Sequence, residues 1–179
     1  MGARKNASVV EITAEYAAEL FSKNGINGTS LADIAKICGI SKGTLYYYYP
    51  NKDSLVLDCA GTCIKRIGDR VFSWVDSFSR DASVAGVCCG LASVFFSNQD
   101  ETRLLIEFLN CANVEAQYLA RSALEEWRVL IEVGALRLPR PASERLARLS
   151  DSVVPLILGL SITGADEQTA KNALINMLN

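Results

Sequence analysis

The chain has 179 residues, half of them hydrophobic, with 18 basic and 20 acidic side chains and no histidine. Triads and bases built on imidazole are therefore excluded, and a formal net charge of −2 means that any nucleic-acid contact must use a local basic face. The polar start MGARKNAS lacks a signal-peptide core, and no apolar run approaches the roughly 20 residues that span a bilayer. The expectation is a soluble, cytoplasmic protein with no membrane partner.

The first predicted helix runs from about Ser8 to Lys23, with Val9, Ile12, Tyr16, Leu20 and Phe21 as its apolar stripe and Glu11, Glu15 and Glu19 opposite. Asn24-Gly25 ends it, and Asn27-Gly28 continues the turn. Ser30 and Asp33 have the spacing of a capping box, ahead of Leu31, Ile34 and Ala35 at helical spacing. Gly39 follows this short helix, where a left-handed backbone costs glycine little. Ser41 caps the next helix, Leu45 and Tyr49 mark its inner side, and Pro50 closes it. Asn51 then caps a fourth helix, with Asp53 in its first turn. Three helices with a helix-turn-helix at positions two and three suit groove reading. Spacing alone leaves a plain helical subdomain about equally open.

The run ITAEYAAELFSKNGINGTSLADIAKICGISKGTLYYYYPNKDSL is denser than a generic helix-turn-helix. It resembles the amino-terminal domain of the TetR family of transcriptional repressors, over about the first third of the chain. The resemblance implies an all-α fold: a three-helix helix-turn-helix DNA-binding domain over 1–51, followed by a helical ligand-binding and dimerisation domain over 52–179. It also implies roles by position. Thr29 and Ser30 fall where the family offers hydroxyls and a helix N-terminus to a phosphate. Ser41, Lys42, Gly43 and Thr44 fall at the base-facing start of the recognition helix. Tyr46, Tyr47 and Tyr48 match positions that touch phosphates, sugars or a thymine methyl, and Lys52 matches a phosphate anchor. Leu45 and Tyr49 hold the recognition helix to the core. Tyr49 departs from the phenylalanine usual there, so its hydroxyl needs a partner.

Charge is divided unevenly. Residues 1–52 carry +2 and the remainder −4, so the acidic balance lies outside the presumed reading head. Arg4 and Lys5 form an amino-terminal arm that either adds a phosphate contact or is a solvated tail.

Beyond Lys52 the sequence predicts a helix through Leu55, Cys59, Ile64, Ile67, Val71 and Trp74, then helices near 82–96, 101–111 and 114–136. The stretch from Arg137 to Pro141 reads as a break. Helices follow over about 143–163 and 166–177, with Pro155 expected to kink or divide the first. The resemblance implies that the last two helices pair two subunits and that a small-molecule effector binds among the middle helices. Candidates for that pocket are Cys63, Trp74, Phe78, Phe95, Phe96, Phe108, Cys111, Tyr118 and Trp127, although any one of them taken singly reads as core before ligand contact. Glu107, Asn110 and Gln117 are the few polar groups able to orient an effector.

The six cysteines are read as buried hydrophobes, since there is no histidine and no Cys-x-x-Cys pair. No metal, cofactor or catalytic residue is expected. Three classes are compatible with the chain: a ligand-responsive dimeric repressor bound to a palindromic double-stranded operator, an enzyme, and a helical interaction protein that has kept the fold but lost DNA binding. The first is preferred because Lys42, Gly43, Tyr47 and Lys52 are all retained.

Overall fold

The computed structural model describes the backbone of residues 2–178 and the side chains of residues 9–177. Among the described residues every regular element is an α-helix: α1 (Gly2–Asn24), α2 (Leu31–Ile37), α3 (Lys42–Tyr48), α4 (Lys52–Asp76), α5 (Val84–Phe96), α6 (Gln99–Asn110), α7 (Val114–Ala135), α8 (Arg140–Ile162) and α9 (Glu167–Leu178). The side chains of Arg4 and Lys5, the proposed arm, lie outside the described residues.

Packing gathers the chain into two units. The first comprises residues 1–63 and 104–120, so it is not the stretch 1–51 alone. Residues 52–63 join it because Leu55, Val56, Cys59 and Ala60 are buried. The second half of α6 and the start of α7 return to it, bringing buried Leu104, Leu105 and Phe108. The inner face of α1 differs from the expected stripe. Thr13, Ala14, Ala17 and Phe21 are buried, whereas Ile12 and Tyr16 are exposed. The small side chain of Ala14 explains the difference: it admits α4 closely enough for the Cys59 Sγ–H to donate to the Ala14 carbonyl at 3.5 Å.

The second unit comprises residues 64–103 and 121–179. Its centre is α5, which packs with α8 and α9 and carries the buried Val87, Cys88, Leu91 and Phe95. The Ser93 hydroxyl donates to Glu167 Oε1 at 2.7 Å, and Lys171 pairs with the same carboxylate at 2.6 Å. One residue further along α5, Arg70 reaches the Val94 carbonyl at 3.3 Å, and it also reaches Glu101 at 2.6 Å. Helix α8 starts at Arg140, inside the expected break, with Pro139 as N-cap and Pro141 in its first turn. First-turn amides have no helical acceptor, so proline loses nothing there. Pro155 does not divide α8, which continues to Ile162.

Candidate nucleic-acid interface

Local chemistry shapes the reading head. At the start of α2 the Ser30 hydroxyl accepts the Asp33 N–H at 3.2 Å, and the Asp33 carboxylate accepts the Ser30 N–H at 3.1 Å. This is the capping box expected from sequence. The hydrogen bond from the Ser30 hydroxyl, chiefly, holds the Asp33 carboxyl below its ordinary range. After α2, Gly39 takes a φ of +66°, which a side chain would resist, and the chain turns at once into α3. Ser41 caps α3 by accepting the Thr44 N–H at 3.0 Å, and the two hydroxyls lie 2.9 Å apart.

Helix α3 is sorted by face. Leu45 and Tyr49 are buried, and the Tyr49 hydroxyl donates to Asp58 Oδ2 on α4 at 2.5 Å. The tyrosine that replaces phenylalanine thus has its partner, and burial, reinforced by Asp58, pushes its phenol far above the ordinary range. Ser41, Lys42, Gly43 and Thr44 are all exposed. Tyr46 and Tyr47 are 50% and 77% exposed. Tyr48 is half-buried and meets Tyr47 edge to face at 5.0 Å.

Gly43 has a telling position. It has no positive φ, and a Cβ there would meet nothing nearer than Ser41 Oγ at 3.7 Å. The fold of this chain does not require glycine, and glycine weakens a helix. A surface that another backbone must approach closely does require it.

Beside α3 lies a shallow groove of about 420 Å³, lined by residues 27–32, Tyr46 and Lys52. The structure therefore brings Thr29, Ser30, Tyr46 and Lys52 together. The Asn51 side chain caps α4 by accepting the Ser54 N–H at 2.8 Å, which fixes the helix end that carries Lys52. Thr29 is corrected: it is buried, and its hydroxyl donates to the carbonyls of Gly25 at 3.0 Å and Leu20 at 3.3 Å. It closes the turn before α2 and offers no hydroxyl to a ligand.

The residues suggested for an effector pocket separate. Cys63, Glu107, Phe108, Cys111 and Tyr118 lie in the first unit, and Trp74, Phe78, Phe95, Phe96 and Trp127 in the second. Tyr118 is 69% exposed, and Glu107 accepts the Ile26 N–H at 3.3 Å. Asn110 and Gln117 donate to the carbonyls of Ile106 and Leu109 on their own helical hairpin. In the second unit the aromatics form two pairs. Trp74 and Phe78 meet edge to face at 4.7 Å, and Phe95 and Trp127 at 6.0 Å. Glycines make room for both indoles: a Cβ on Gly90 would fall 2.5 Å from Trp74 Nε1, and one on Gly68 would fall 3.3 Å from Trp127 Nε1.

Cys59, Cys63 and Cys88 are buried and the other three half-buried. Burial pushes the Cys88 thiol up to about 11 and that of Cys59 higher still. Among the described residues no cluster of three metal-ligating side chains occurs, and no helix is long and apolar enough to cross a membrane.

Residues 15–59 match the family of bacterial regulatory proteins, tetR family. A regulator of Bacillus subtilis, YuxN, is 47% identical over 47 residues, which are 26% of this chain and 16% of that protein. QacR of Staphylococcus aureus is 48% identical over 42 residues, 24% of this chain and 22% of that regulator. The chain thus matches less than a quarter of the length of these curated relatives. A crystal structure from Saccharomonospora viridis, in complex with choline, superposes with a TM-score of 0.79 over 96% of both chains at 18% identity. The extent of that superposition establishes a common fold, and at 18% identity it establishes nothing further.

Proposed function

We propose that this chain, which belongs to the tetR family of bacterial regulatory proteins, is a transcriptional repressor that binds a palindromic DNA operator as a homodimer and leaves it on binding a small molecule. The observation that carries this reading is the exposed face of α3. Ser41, Lys42, Gly43 and Thr44 present short polar groups, a cation and an approachable backbone at a helix start, beside a groove holding Lys52. Such a face suits base edges in a major groove, and Lys52 and Tyr46 suit the flanking phosphates.

One such helix reads only a few base pairs, so two copies spaced about one DNA turn, roughly 34–36 Å, are required. A pairing surface is available on α8, where Ser152, Pro155, Gly159 and Ile162 recur at helical spacing and are exposed. Small residues there admit close approach, and Ile162 is 67% exposed. Sedimentation of the Ile162→Glu variant should show monomer where the parent sediments as dimer.

The effector site is assigned to the second unit's aromatic residues, Trp74, Phe78, Phe95, Phe96 and Trp127. Helix α4 carries Lys52 at one end and Trp74 near the other. A ligand that displaces Trp74 therefore acts on a helix covalently continuous with the phosphate anchor. Linkage makes the effect reciprocal, by about 1–3 kcal/mol. The test is selection of bound duplexes from a random pool, with and without candidate small molecules. Enrichment of an inverted repeat is expected, and its absence would move the chain to the class of helical interaction proteins.

A further inference from the structure

We infer that Glu107 and Asn113 are positioning residues for DNA contact, which hold the two margins of the groove beside α3 at a set separation. This rests on the DNA-reading role proposed for α3. Glu107 Oε2 accepts the Ile26 N–H at 3.3 Å, bridging 81 residues of sequence. Gly25, immediately before, takes a φ of +75°, and a Cβ there would stand 3.6 Å from the same carboxylate. The tightened turn continues into residues 27–32, one margin of the groove. Because the Thr29 hydroxyl bonds back to the Gly25 carbonyl, a shift at Ile26 is carried along the turn.

The opposite margin is held in the same manner. Asn113 Nδ2–H donates to the Asp53 carbonyl at 3.0 Å, one residue past Lys52. Its Oδ1 accepts the Ala116 N–H at 3.0 Å, which caps α7 and fixes the amide in place. Both clamps issue from the segment 104–120, which belongs to the same packed unit as the groove. They add two directed hydrogen bonds to the apolar packing that joins the margins. Neither bond touches the exposed face of α3, so the pair governs where Lys52 and the α2 turn stand while leaving the reading face itself unchanged.

The sign of one substitution separates positioning from electrostatics. A carboxylate near a DNA-binding face repels phosphates, so removing it for charge alone would tighten binding. Removing it as a clamp would loosen binding. The full-length chain is compared as Glu107→Ala, Glu107→Gln and Asn113→Ala, on the duplex that the parent selects from a random pool and on random duplex of equal length. Exchange of the Ile26 amide is followed by NMR. Losing one clamp should weaken selected-duplex binding about fivefold or more, the scale of one hydrogen bond. Ile26 exchange should accelerate in Glu107→Ala. Glu107→Gln keeps a carbonyl acceptor and should stay within about twofold of the parent in both readouts. Glu107→Ala binding as tightly as the parent, or more tightly, overturns the inference. So does a Gln variant as weak as Ala, or an unprotected Ile26 amide in the parent. Should Glu107→Ala fail to fold, Asn113→Ala and the parent's Ile26 exchange decide the matter. Failure of the parent itself to enrich any duplex would instead overturn the DNA-reading role, before any variant is compared.

Discussion

Replacing Gly43 by alanine should make the protein more stable and a poorer DNA binder. Gly43 is the second residue of α3, and a methyl there meets only Ser41 Oγ at 3.7 Å, an ordinary contact. The substitution removes the conformational entropy cost of glycine in a helix, about 1 kcal/mol in an interior and about half that in a first turn. For a chain of this length that corresponds to a rise of about 1–2 °C in the thermal midpoint. On the DNA side the same methyl enters an interface built to bring backbones together, where an overpacked contact costs about 1–3 kcal/mol, or about five- to 150-fold in Kd. Gly61 supplies the control. It is exposed on α4, and a Cβ there meets nothing within 4 Å, so Gly61→Ala should stabilise by about 1 kcal/mol without changing affinity. Calorimetry and fluorescence anisotropy on the selected duplex measure both quantities. Equal affinity of Gly43→Ala and parent would refute the role given to α3, whatever the change in midpoint.

Lys52→Ala should weaken binding to all duplexes and lower the slope of log K against log salt by about one, whereas Lys42→Ala should also shift the selected sequence; anisotropy titrations across salt and repeated selection distinguish them. Gly90→Ala places a Cβ 2.5 Å from Trp74 Nε1, and the rigid indole must move, costing about 1–3 kcal/mol in denaturant unfolding. With the Cys88 thiol pushed up to about 11, only about one molecule in a thousand carries its thiolate at pH 8. That cysteine should react with Ellman's reagent only after denaturation, and its reactivity in the native protein should rise as pH increases towards 11. Fast native labelling of Cys88 at pH 8 would contradict its burial.

The reading head was legible because its determinants are local. The Ser30–Asp33 box, the Gly39 turn, the Ser41 cap and the inward Tyr49 each depend on residues a few positions apart. Fixed chain geometry leaves such signals few alternatives. The inner face of α1 was misread because hydrophobicity favoured Ile12 and Tyr16, while close packing favoured Thr13, Ala14 and Ala17. The start of α8 is not legible, because a proline-rich stretch suggests a break, whereas here the prolines sit at the N-cap and in the first turn. Glu107 was read as a group for an effector, and its bond to Ile26 spans 81 residues. No pattern along the chain announces such a partner. The same holds for the return of residues 104–120 to the first unit.

That return bears on how the protein is made. A ribosome delivers residues 1–63 first, then must add roughly 60 more before residue 120 completes the same unit. At about 5–20 residues per second this takes about 3–12 s. During that interval the nascent head lacks Leu104, Leu105 and Phe108, which are buried in the finished unit. A gene fragment ending near residue 63 would make that interval permanent. The reading head is therefore not a cassette that can be cut from the amino terminus and grafted elsewhere. A transplant has to carry residues 104–120, or a designed hairpin in their place.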